Sequence, residues 1–430
     1  MKQDGTNSLS GLYLFVAAYV SLFAIAGVLL FGPGIFPRTV LVPDGAGQGG
    51  HAALLSTEID CESLKNITEL QFLAGGWTKA VYKGRFLGTP VAVKTVNLDG
   101  HSLKECQDKG HNISHCYNRA AAKIVKEMLL LRELVHDNIV KVLGSCIPQT
   151  SGPVAMVTEL GEPLDTVRLL QLAWEDRLRL VLGMAKILHL LAHSPLGSLA
   201  MNDFRRQQFV IVDGILKLSD VDDIGLEEPS CETRTDCIQV LPLQLRNTSE
   251  TWCSPETKRC VGHNERLNIW RAGKHFIHQF LPLGAPAGLR PLILGLLKGY
   301  REASWSSAKI LSETESLVHI FSSGQYLESN EVVNMDINSL PGFTILEGKD
   351  LPGQFDYPCP ESRSAVNCIR SVHSLQEAAD LCSADYKCKA FVIGHARTWT
   401  GRVLAIFKSG VGPPTPTRGH KLIFRRDGLH

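Results

Sequence analysis

The sequence has almost no excess charge of either sign. Its 430 residues include 44 Lys and Arg against 43 Asp and Glu, which gives a formal net charge of +1. No basic run stands out, so the sequence does not indicate a nucleic-acid-binding protein or one drawn to acidic membranes. Charged residues make up 20% of the chain and hydrophobic residues 44%, which is the balance of a folded protein with a hydrophobic core.

Long hydrophobic runs are also missing, with one exception near the amino terminus. Residues 12–31 (LYLFVAAYVSLFAIAGVLLF) contain one Ser and no charged residue, so they are long enough to span a bilayer as a helix. Ala24 and Ala26 flank Ile25 in the small-x-small pattern of a signal-peptide cleavage site. We therefore expect residues 1–35 to be a signal peptide or an uncleaved signal anchor. In either case the rest of the chain enters the secretory lumen, and only this segment would contact a membrane.

The C-x-x-C pairs that are typical of zinc sites are absent, although the chain has 12 cysteines. Ten cysteines lie in close couples and two stand apart: the couples are Cys106 and Cys116, Cys231 and Cys237, Cys253 and Cys260, Cys359 and Cys368, and Cys382 and Cys388, and the separate ones are Cys61 and Cys146. An even number of close cysteines in an exported chain indicates disulfides, whose connectivity the spacing leaves open. Three N-x-S/T sequons add candidate N-glycosylation sites at Asn66, Asn112 and Asn247.

Changes in composition divide the chain into four parts. Residues 36–60, which follow the amino-terminal segment, are rich in Gly and Pro and predict a flexible stalk. Residues 61–340 read as strands first and helices later, which suggests two lobes with a crevice between them. Residues 341–430 form a Cys-rich extension with a helix-like SLQEAADLC. The extension either resembles a PAN/apple-type module or, more simply, is a disulfide-stapled cap on the main domain.

A short hairpin gathers carboxylates at one point of the main domain. Residues 209–219 predict two strands joined by a two-residue turn at residues 213–214 (Asp-Gly). Pairing outward from the turn places Gln208 beside Asp220 at the open end, with Asp203 a few residues upstream. Such oxygen ligands suit a divalent ion such as Mg²⁺, and one carboxylate can accept a substrate proton while another holds the metal. The alternative is that these aspartates only solvate the ends of loops.

Two further signals lie upstream of the hairpin. Ala74–Val81 stands between two strands, either as a loop over a phosphate-bearing ligand or as a plain β-turn. In the following VAVK stretch, alternation places Lys94 inward from an apolar strand, where it needs a partner. Glu127 shares an apolar helical stripe with Ile124 and Leu131. We therefore expect Glu127 to pair with Lys94, unless it lies at the edge of the stripe in water.

The order of these signals along the chain is that of the protein kinase signature motifs. Residues 70–323 resemble a divergent protein kinase domain. The stretches GGWTKAVYKG, LAHSPLG, DFRRQQFVIVDG and WTGR closely resemble the vertebrate lonesome kinase family of divergent secreted tyrosine kinases. The resemblance implies an α+β, bilobal protein-kinase-like fold, with a small β-rich amino-terminal lobe, a helical carboxyl-terminal lobe and a disulfide-rich extension after them.

The resemblance assigns roles to the matching positions. Nucleotide would be bound by a glycine-poor loop, by the lysine of a strand and by the linker between the lobes. The loop residues are Leu73, Ala74, Gly75, Gly76, Trp77, Thr78, Lys79, Ala80 and Val81, the strand lysine is Lys94, and the linker residues are Glu159 and Leu160. Lys94 and its partner Glu127 would serve catalysis together with Asp203, the base that accepts the proton of the substrate hydroxyl. Asp220 and Gln208 would hold Mg²⁺ or Mn²⁺ beside ATP.

Several motifs depart from the kinase pattern. Only Gly76 of the three loop glycines is kept in register, H-R-D reads M-N-D at residues 201–203, and D-F-G reads D-V-D at residues 220–222. Asp222 thus adds a carboxylate that either helps to hold a cation or, as the simpler expectation, is solvated. The long loop before the Ser-Pro-Glu of residues 254–256 contains cysteines, which favours disulfide stapling over ordering by phosphorylation.

Two functions agree with these residues. The resemblance implies a tyrosine kinase, secreted or resident in the lumen of the Golgi and secretory pathway, that phosphorylates exported or extracellular matrix proteins. The departures motivate the alternative of a secreted pseudokinase that acts as a binding scaffold without phosphoryl transfer. Retention of Lys94, Glu127, Asp203 and Asp220 together favours the enzyme.

Overall fold

The first part of the chain folds as a five-stranded antiparallel sheet. The computed structural model describes residues 58–148, 152–247, 250–327 and 340–426. The strands are β1 (Thr68–Gly75), β2 (Lys79–Phe86), β3 (Thr89–Val96), β4 (Val142–Cys146) and β5 (Ala155–Glu159), in the spatial order β1-β2-β3-β5-β4. Val91 and Val93 of β3 pack with Ile59 and Ile67 on one face of the sheet. Strand alternation therefore directs Lys94 to the opposite face.

Two helices connected by a short loop lie between β3 and β4. They are α1 (His101–Asp108) and α2 (Ile113–Glu133), and the disulfide between Cys106 and Cys116 ties them together. Asn112 caps α2, because its side-chain oxygen accepts a hydrogen bond from the backbone N–H of His115 at 2.8 Å. The helix packs against β3 and β5, so it presents its inner stripe to the face of the sheet that carries Lys94.

The next part is mainly helical and surrounds one large hydrophobic core. Its helices are α3 (Thr166–Gln171), α4 (Trp174–Ala192), α5 (Arg234–Gln239), α6 (His263–Ala272), a π-helical turn (Gly273–Ile277), α7 (His278–Phe280), α8 (Arg290–Glu302) and α9 (Ser307–Ser322). Helix α4 lies in the interior, where most of its side chains are buried. Short strands form three small sheets: β6 (Glu162–Pro163), β8 (Phe209–Val212) and β9 (Ile215–Leu218); β7 (Ala200–Met201) and β10 (Ile224–Gly225); β11 (Trp252–Cys253) and β12 (Cys260–Val261).

The Cys-rich extension has its own antiparallel sheet of five strands. These are β13 (Phe343–Asp350), β14 (Cys368–Val372), β15 (Ala390–Arg397), β16 (Val403–Lys408) and β17 (Thr415–Arg425), in the order β13-β17-β15-β16-β14, and α10 (Leu375–Ala384) packs on the sheet. The sheet encloses a second hydrophobic core around Phe391 and Phe407. The chain is thus a mixed helix-and-strand protein, as the sequence predicts.

Polar contacts dock the extension on the helical part. The buried guanidinium of Arg402 is held within the extension by both carboxylate oxygens of Glu377, at 2.6 and 2.7 Å, and it donates across the boundary to the backbone oxygen of Phe321 at 2.8 Å. Arg363 donates to Asp176 of α4 at 2.8 Å. The described residues from Glu58 onward group into one compact unit. These contacts agree with the simpler expectation, a stapled cap on the main domain.

All twelve cysteines form disulfides. In three of the close couples the two cysteines are bonded to each other: Cys106–Cys116, Cys359–Cys368 and Cys382–Cys388. The two separate cysteines form the bond Cys61–Cys146. The other four cross, as Cys231–Cys253 and Cys237–Cys260. The crossed pair fastens the segment before α6 at two points, which is the covalent stapling that the sequence favours there.

The hydrophobic run at residues 12–31 lies outside the described residues, as do the rest of the expected signal segment and most of the predicted stalk. Within the ranges that the structure describes, no helix is both long and apolar enough to cross a membrane.

Candidate active site

The β8–β9 hairpin brings two of the predicted site residues together. Its turn residues Asp213 and Gly214 both have positive φ, 50° and 74°, as a type I′ turn requires. At the open end, the backbone N–H groups of Ser219 and Asp220 donate to the backbone oxygen of Gln208 at 2.8 and 3.2 Å. Gln208 and Asp220 therefore lie side by side, in the arrangement that the pairing register predicts.

Asp203 lies beside Gln208 at the same end of the hairpin. The Gln208 side-chain amide donates to Oδ2 of Asp203 at 2.7 Å, and Arg205 donates to Oδ1. Since its nitrogen is engaged with Asp203, the carbonyl oxygen of the Gln208 side chain is the atom that would face a cation. Asp203 remains partly open to solvent, with its side chain 24% exposed, so a substrate hydroxyl can reach it.

The structure contains the ion pair expected between β3 and α2. Nζ of Lys94 lies 2.7 Å from Oε1 of Glu127, and both side chains are buried. Lys94 also donates to the backbone oxygen of Ser219 at 2.6 Å and to its hydroxyl at 3.2 Å. The pair thus fixes α2 against both β3 and the end of the hairpin, and it occupies the three donors of Lys94.

Lys79 is the site residue whose position the sequence reasoning missed. The expected loop at Ala74–Val81 is much shorter in the structure, because β1 continues to Gly75 and β2 begins at Lys79. In β2, Lys79 lies two residues before Val81, which is opposite Lys94, so the two lysines project from the same face. Counting this alternation back from Val81 would have found Lys79.

The buried ammonium of Lys79 contacts three carboxylates. It lies 2.5 Å from Oε2 of Glu127, 2.6 Å from Oδ1 of Asp220 and 3.2 Å from Oδ2 of Asp222. The expectation that Asp222 is solvated is therefore wrong. Its side chain is only 11% exposed, because the segment after the hairpin folds back against β2 and α2 and turns Asp222 toward Lys79.

These charges shift one another's protonation. Burial opposes the charge of Lys79, but the carboxylates of Glu127, Asp220 and Asp222 outweigh it and raise the pKa of Lys79. Burial would raise the pKa of Asp220, yet Lys79 and Lys94 hold it below its usual range. Burial also raises the pKa of Asp222 to about 6, since Lys79 only partly compensates there and Asp220 adds like charge. Asp220 is thus the better cation ligand of the two aspartates.

Helix α2 also holds the backbone that follows Asp220. Nζ of Lys126 donates to the backbone oxygens of Asp222 and Ile224, at 2.9 and 3.3 Å. The neighbouring residues Lys126 and Glu127 therefore fasten the same segment, one through its backbone and the other through Lys79. This fixes Asp220 relative to the first sheet.

The other predicted nucleotide-binding residues in the range 73–81 lie in β1, in β2 and in the turn between these strands. The end of β1 is exposed to solvent at Leu73, Ala74 and Gly75. In the turn, Trp77 is exposed and Thr78 is buried. Strand β2 then contains Ala80 and Val81. The turn at Gly76 is held by its N–H, which donates to the backbone oxygen of Lys79 at 2.8 Å. Gly76 also accepts a hydrogen bond from the Asn97 side chain at 2.8 Å.

Of the predicted linker residues, Glu159 ends β5 and Leu160 follows it. The Glu159 side chain accepts hydrogen bonds from Nζ of Lys217 at 2.6 Å and from the backbone N–H of Lys141 at 2.8 Å. Its carboxylate is therefore used to tie the linker to the β8–β9 hairpin. This leaves backbone atoms and the half-buried Leu160 as the parts of the linker that can face a ligand.

The three sequon asparagines are all exposed: Asn66, Asn112 and Asn247. Asn112 uses only its side-chain oxygen to cap α2, so its amide nitrogen can still carry a glycan. All three thus remain predicted N-glycosylation sites.

The donor set fits a divalent cation. Glu127, Asp220 and Asp222 can each offer one oxygen, and these oxygens lie within 4.8 Å of one another. These three carboxylates make a ligand set of oxygens alone, which Mg²⁺ and Mn²⁺ prefer. The ammonium of Lys79 neutralises part of the negative charge of these three carboxylates.

Comparison with known proteins identifies the family of the chain. No protein-family model matches the chain. The chain is similar to human extracellular tyrosine-protein kinase PKDCC, with 38% identity over 368 residues, which cover 83% of this chain and 71% of that protein. It is also similar to the probable serine/threonine-protein kinase roco9 of Dictyostelium discoideum, with 24% identity over 186 residues, 42% of this chain and 5% of that one. The chain therefore belongs to the PKDCC family of divergent secreted protein kinases, the vertebrate lonesome kinases that its motifs resemble.

Proposed function

We propose that the protein is a catalytically active secreted protein kinase that transfers the γ-phosphate of ATP to tyrosine residues. The observation that carries the proposal is the buried ion pair between Lys94 and Glu127 beside Asp220. The hairpin adds Asp203 and Gln208 at one end of the same group. Each residue type suits its task in phosphoryl transfer, where positioning and charge stabilisation supply most of the catalysis.

In this proposal the first sheet with α2 is the small lobe and the helical part is the large lobe. ATP would lie between them, under residues 73–81 and against the linker at Glu159 and Leu160. The apolar side chains there would contact the base, while the buried charges lie deeper, beyond Val81. The direction from linker to charges is the direction from adenine to phosphates.

Asp203 would accept the proton of the tyrosine hydroxyl as the oxygen attacks phosphorus. Its hydrogen bonds from Gln208 and Arg205 orient the carboxylate for this role. Asp220 and Gln208 would hold Mg²⁺ or Mn²⁺, which neutralises phosphate charge when bound. Lys94 keeps Glu127 and the backbone of Ser219 in place.

Tyrosine specificity and the site of action extend the proposal by similarity. The human relative is named an extracellular tyrosine-protein kinase. Six disulfides suit an oxidising compartment. We infer that the substrates are exported or extracellular matrix proteins, phosphorylated in the Golgi and secretory lumen or after secretion, and that nucleic acid is not a partner.

The test is phosphorylation by the protein secreted from cells, with ATP and either Mg²⁺ or Mn²⁺. We expect phosphotyrosine on added extracellular matrix proteins from the natural sequence, and a loss of at least a hundredfold from Asp203→Ala. Asp108→Ala, at the exposed end of α1, controls for secretion and general damage. Equal phosphotyrosine from the natural protein and Asp203→Ala would refute the proposal.

One observation favours a secreted pseudokinase that acts as a scaffold. The ammonium of Lys79 lies 2.6 Å from the Asp220 oxygen that would bind metal. If this contact were permanent, ATP would bind without transfer. The scaffold would be supported if the natural protein and Asp203→Ala both bind nucleotide and neither phosphorylates any added substrate.

A further inference from the structure

We propose that Lys79 is a tethered cation that competes with the divalent metal for the three carboxylates of the site. The proposal rests on the proposed function, because Asp220, one of these three carboxylates, would hold the metal that the kinase uses. It assigns to Lys79 the task of coupling metal binding to nucleotide binding: metal alone is excluded, whereas metal with nucleotide is admitted.

The ammonium and the metal require the same oxygens. Nζ of Lys79 lies within 3.2 Å of oxygens from Glu127, Asp220 and Asp222. These are the three carboxylates whose oxygens lie close enough together to share one ion. A divalent ion among them would stand within a few ångströms of a buried ammonium, where like charges repel strongly. Lys79 and the metal therefore cannot share the carboxylates.

Lys79 is the lysine that can leave. Lys94 is fixed by three protein acceptors, one on Glu127 and two on Ser219. Each partner of Lys79 is one of the three carboxylates that a metal would take. Its backbone begins β2 directly after the short turn at Gly76. A bound metal thus removes the reason for Lys79 to stay, while Lys94 keeps its partners.

Nucleotide supplies a new partner for the displaced ammonium. Lys79 stands at the end of the turn that would cover the phosphates of ATP, and a long lysine side chain can reach oxygens on either side of its strand end. Without nucleotide, the metal would leave the ammonium buried and unpaired, which is costly. With nucleotide, phosphate oxygens replace the carboxylates. Metal and nucleotide therefore bind with positive coupling through Lys79.

The test measures Mn²⁺ binding to the full secreted protein by electron paramagnetic resonance, with and without ATP. For the nucleotide-free protein, we expect Lys79→Met to bind Mn²⁺ at least tenfold more tightly than the natural sequence. ATP should then raise the Mn²⁺ affinity of the variant by a smaller factor than it raises that of the natural protein. The reference for binding of Mn²⁺ to ATP itself is measured without protein.

Lys83→Met is the matched control. Lys83 lies on the same face of β2, four residues beyond Lys79, and among the described residues it forms no ion pair. It should leave Mn²⁺ affinity unchanged. If Lys79→Met does not fold, Lys79→Met/Asp222→Asn removes one charge of each sign and should again bind Mn²⁺ more tightly than Asp222→Asn alone.

Unchanged or weaker Mn²⁺ binding by Lys79→Met in the absence of ATP would overturn the inference. So would an equal effect of Lys83→Met. Because the measurement requires no phosphoryl transfer, its result is separate from the kinase assay. Tighter Mn²⁺ binding in a protein that phosphorylates nothing refutes the proposed function alone, and normal phosphorylation with unchanged Mn²⁺ binding refutes the competition alone.

Discussion

Nζ of Lys79 lies 3.2 Å from Oδ2 of Asp222, and this contact joins two positions at which the sequence departs from the kinase pattern. Lys79 stands where the loop motif has its third glycine, and Asp222 stands where D-F-G has its glycine. Two small residues are thus replaced by two residues of opposite charge that meet in space. The replacements are understandable as a pair, whereas each alone would add an unbalanced charge to a buried site.

A double-mutant cycle tests this pairing. Lys79→Met should lower the free energy of unfolding by about 3–5 kcal/mol, because it leaves buried carboxylates without their partner. Asp222→Asn should cost far less, since Lys79 keeps Glu127 and Asp220. The double variant should lose less free energy of unfolding than the two single variants lose together, by about 0.5–3 kcal/mol. Urea unfolding in the presence of EDTA measures all four proteins.

Losses that add within about 0.5 kcal/mol would show that the two side chains do not stabilise each other. Lys83→Met serves as the control for removal of a lysine from β2, and it should change the unfolding free energy little, because surface charges away from such networks contribute within about 0.5 kcal/mol.

Local patterns in the sequence were sufficient to predict the Lys94–Glu127 pair and the hairpin. The first followed from strand alternation together with helical spacing, and the second from the Asp-Gly turn, since both depend on neighbouring residues only. Lys79 was placed in a loop, because the boundary of β2 is decided by pairing with β3. When β2 begins a few residues earlier, a residue expected in the loop joins the strand, and its side chain then points to one defined face of the sheet.

Disulfide connectivity was beyond the sequence for a related reason. Spacing leaves the connectivity open, and in the structure three of the close couples are bonded within the couple. Cys231 and Cys237 instead cross to Cys253 and Cys260. In the short β11–β12 sheet Cys253 lies opposite Cys260, but the two are not bonded to each other. Each instead forms a disulfide with a cysteine in or just before α5. Only the tertiary fold decides which cysteines meet.

Removal of one crossed disulfide should loosen the segment before α6. The bond between Cys237 and Cys260 closes 23 residues, so Cys237→Ser/Cys260→Ser should cost about 3 kcal/mol in the chain-entropy picture. We expect new protease cleavage between residues 231 and 260, detected by limited proteolysis and mass spectrometry. Cys382→Ser/Cys388→Ser, in the extension, should leave cleavage in that range unchanged. Equal cleavage in the two double variants would contradict a local stapling role.

The linker contact between Glu159 and Lys217 should affect nucleotide binding more than catalysis. Nζ of Lys217 lies 2.6 Å from Oε1 of Glu159 and ties the linker to the β8–β9 hairpin. Lys217→Met should cost about 1.5–3 kcal/mol of stability, typical of a hydrogen bond to a charged group. We expect the KM for ATP to rise severalfold while kcat stays within about twofold, because the Lys217 ammonium bonds the linker carboxylate of Glu159 rather than Asp203 or Asp220.

The exposed residue Lys298 of α8 provides the control for this measurement. Lys298→Met removes the same charge and should leave both KM and kcat unchanged. A fall in kcat of Lys217→Met with an unaltered KM would contradict the assignment of this contact to the linker.

Docking of the Cys-rich extension should depend on Arg402. Its guanidinium is buried and bonds Glu377 through both carboxylate oxygens, Phe321 through its backbone oxygen and the Tyr326 hydroxyl at 3.2 Å. Arg402→Ala leaves the buried Glu377 without this partner, so we expect a loss of about 3–5 kcal/mol. Arg402→Lys should recover little, because one ammonium cannot replace the planar donors that reach several acceptors at once.

Two measurements separate docking from general instability. Urea unfolding gives the free energy for Arg402→Ala, Arg402→Lys and the control Arg418→Ala, whose side chain is exposed. Hydrogen exchange then shows where protection is lost, and we expect the loss at α9 and β14, the two elements that Arg402 joins through Phe321 and Ser371. Exchange that rises evenly over the whole protein would contradict a docking role, since the hydrogen-bond partners of Arg402 outside the extension are Phe321 and Tyr326.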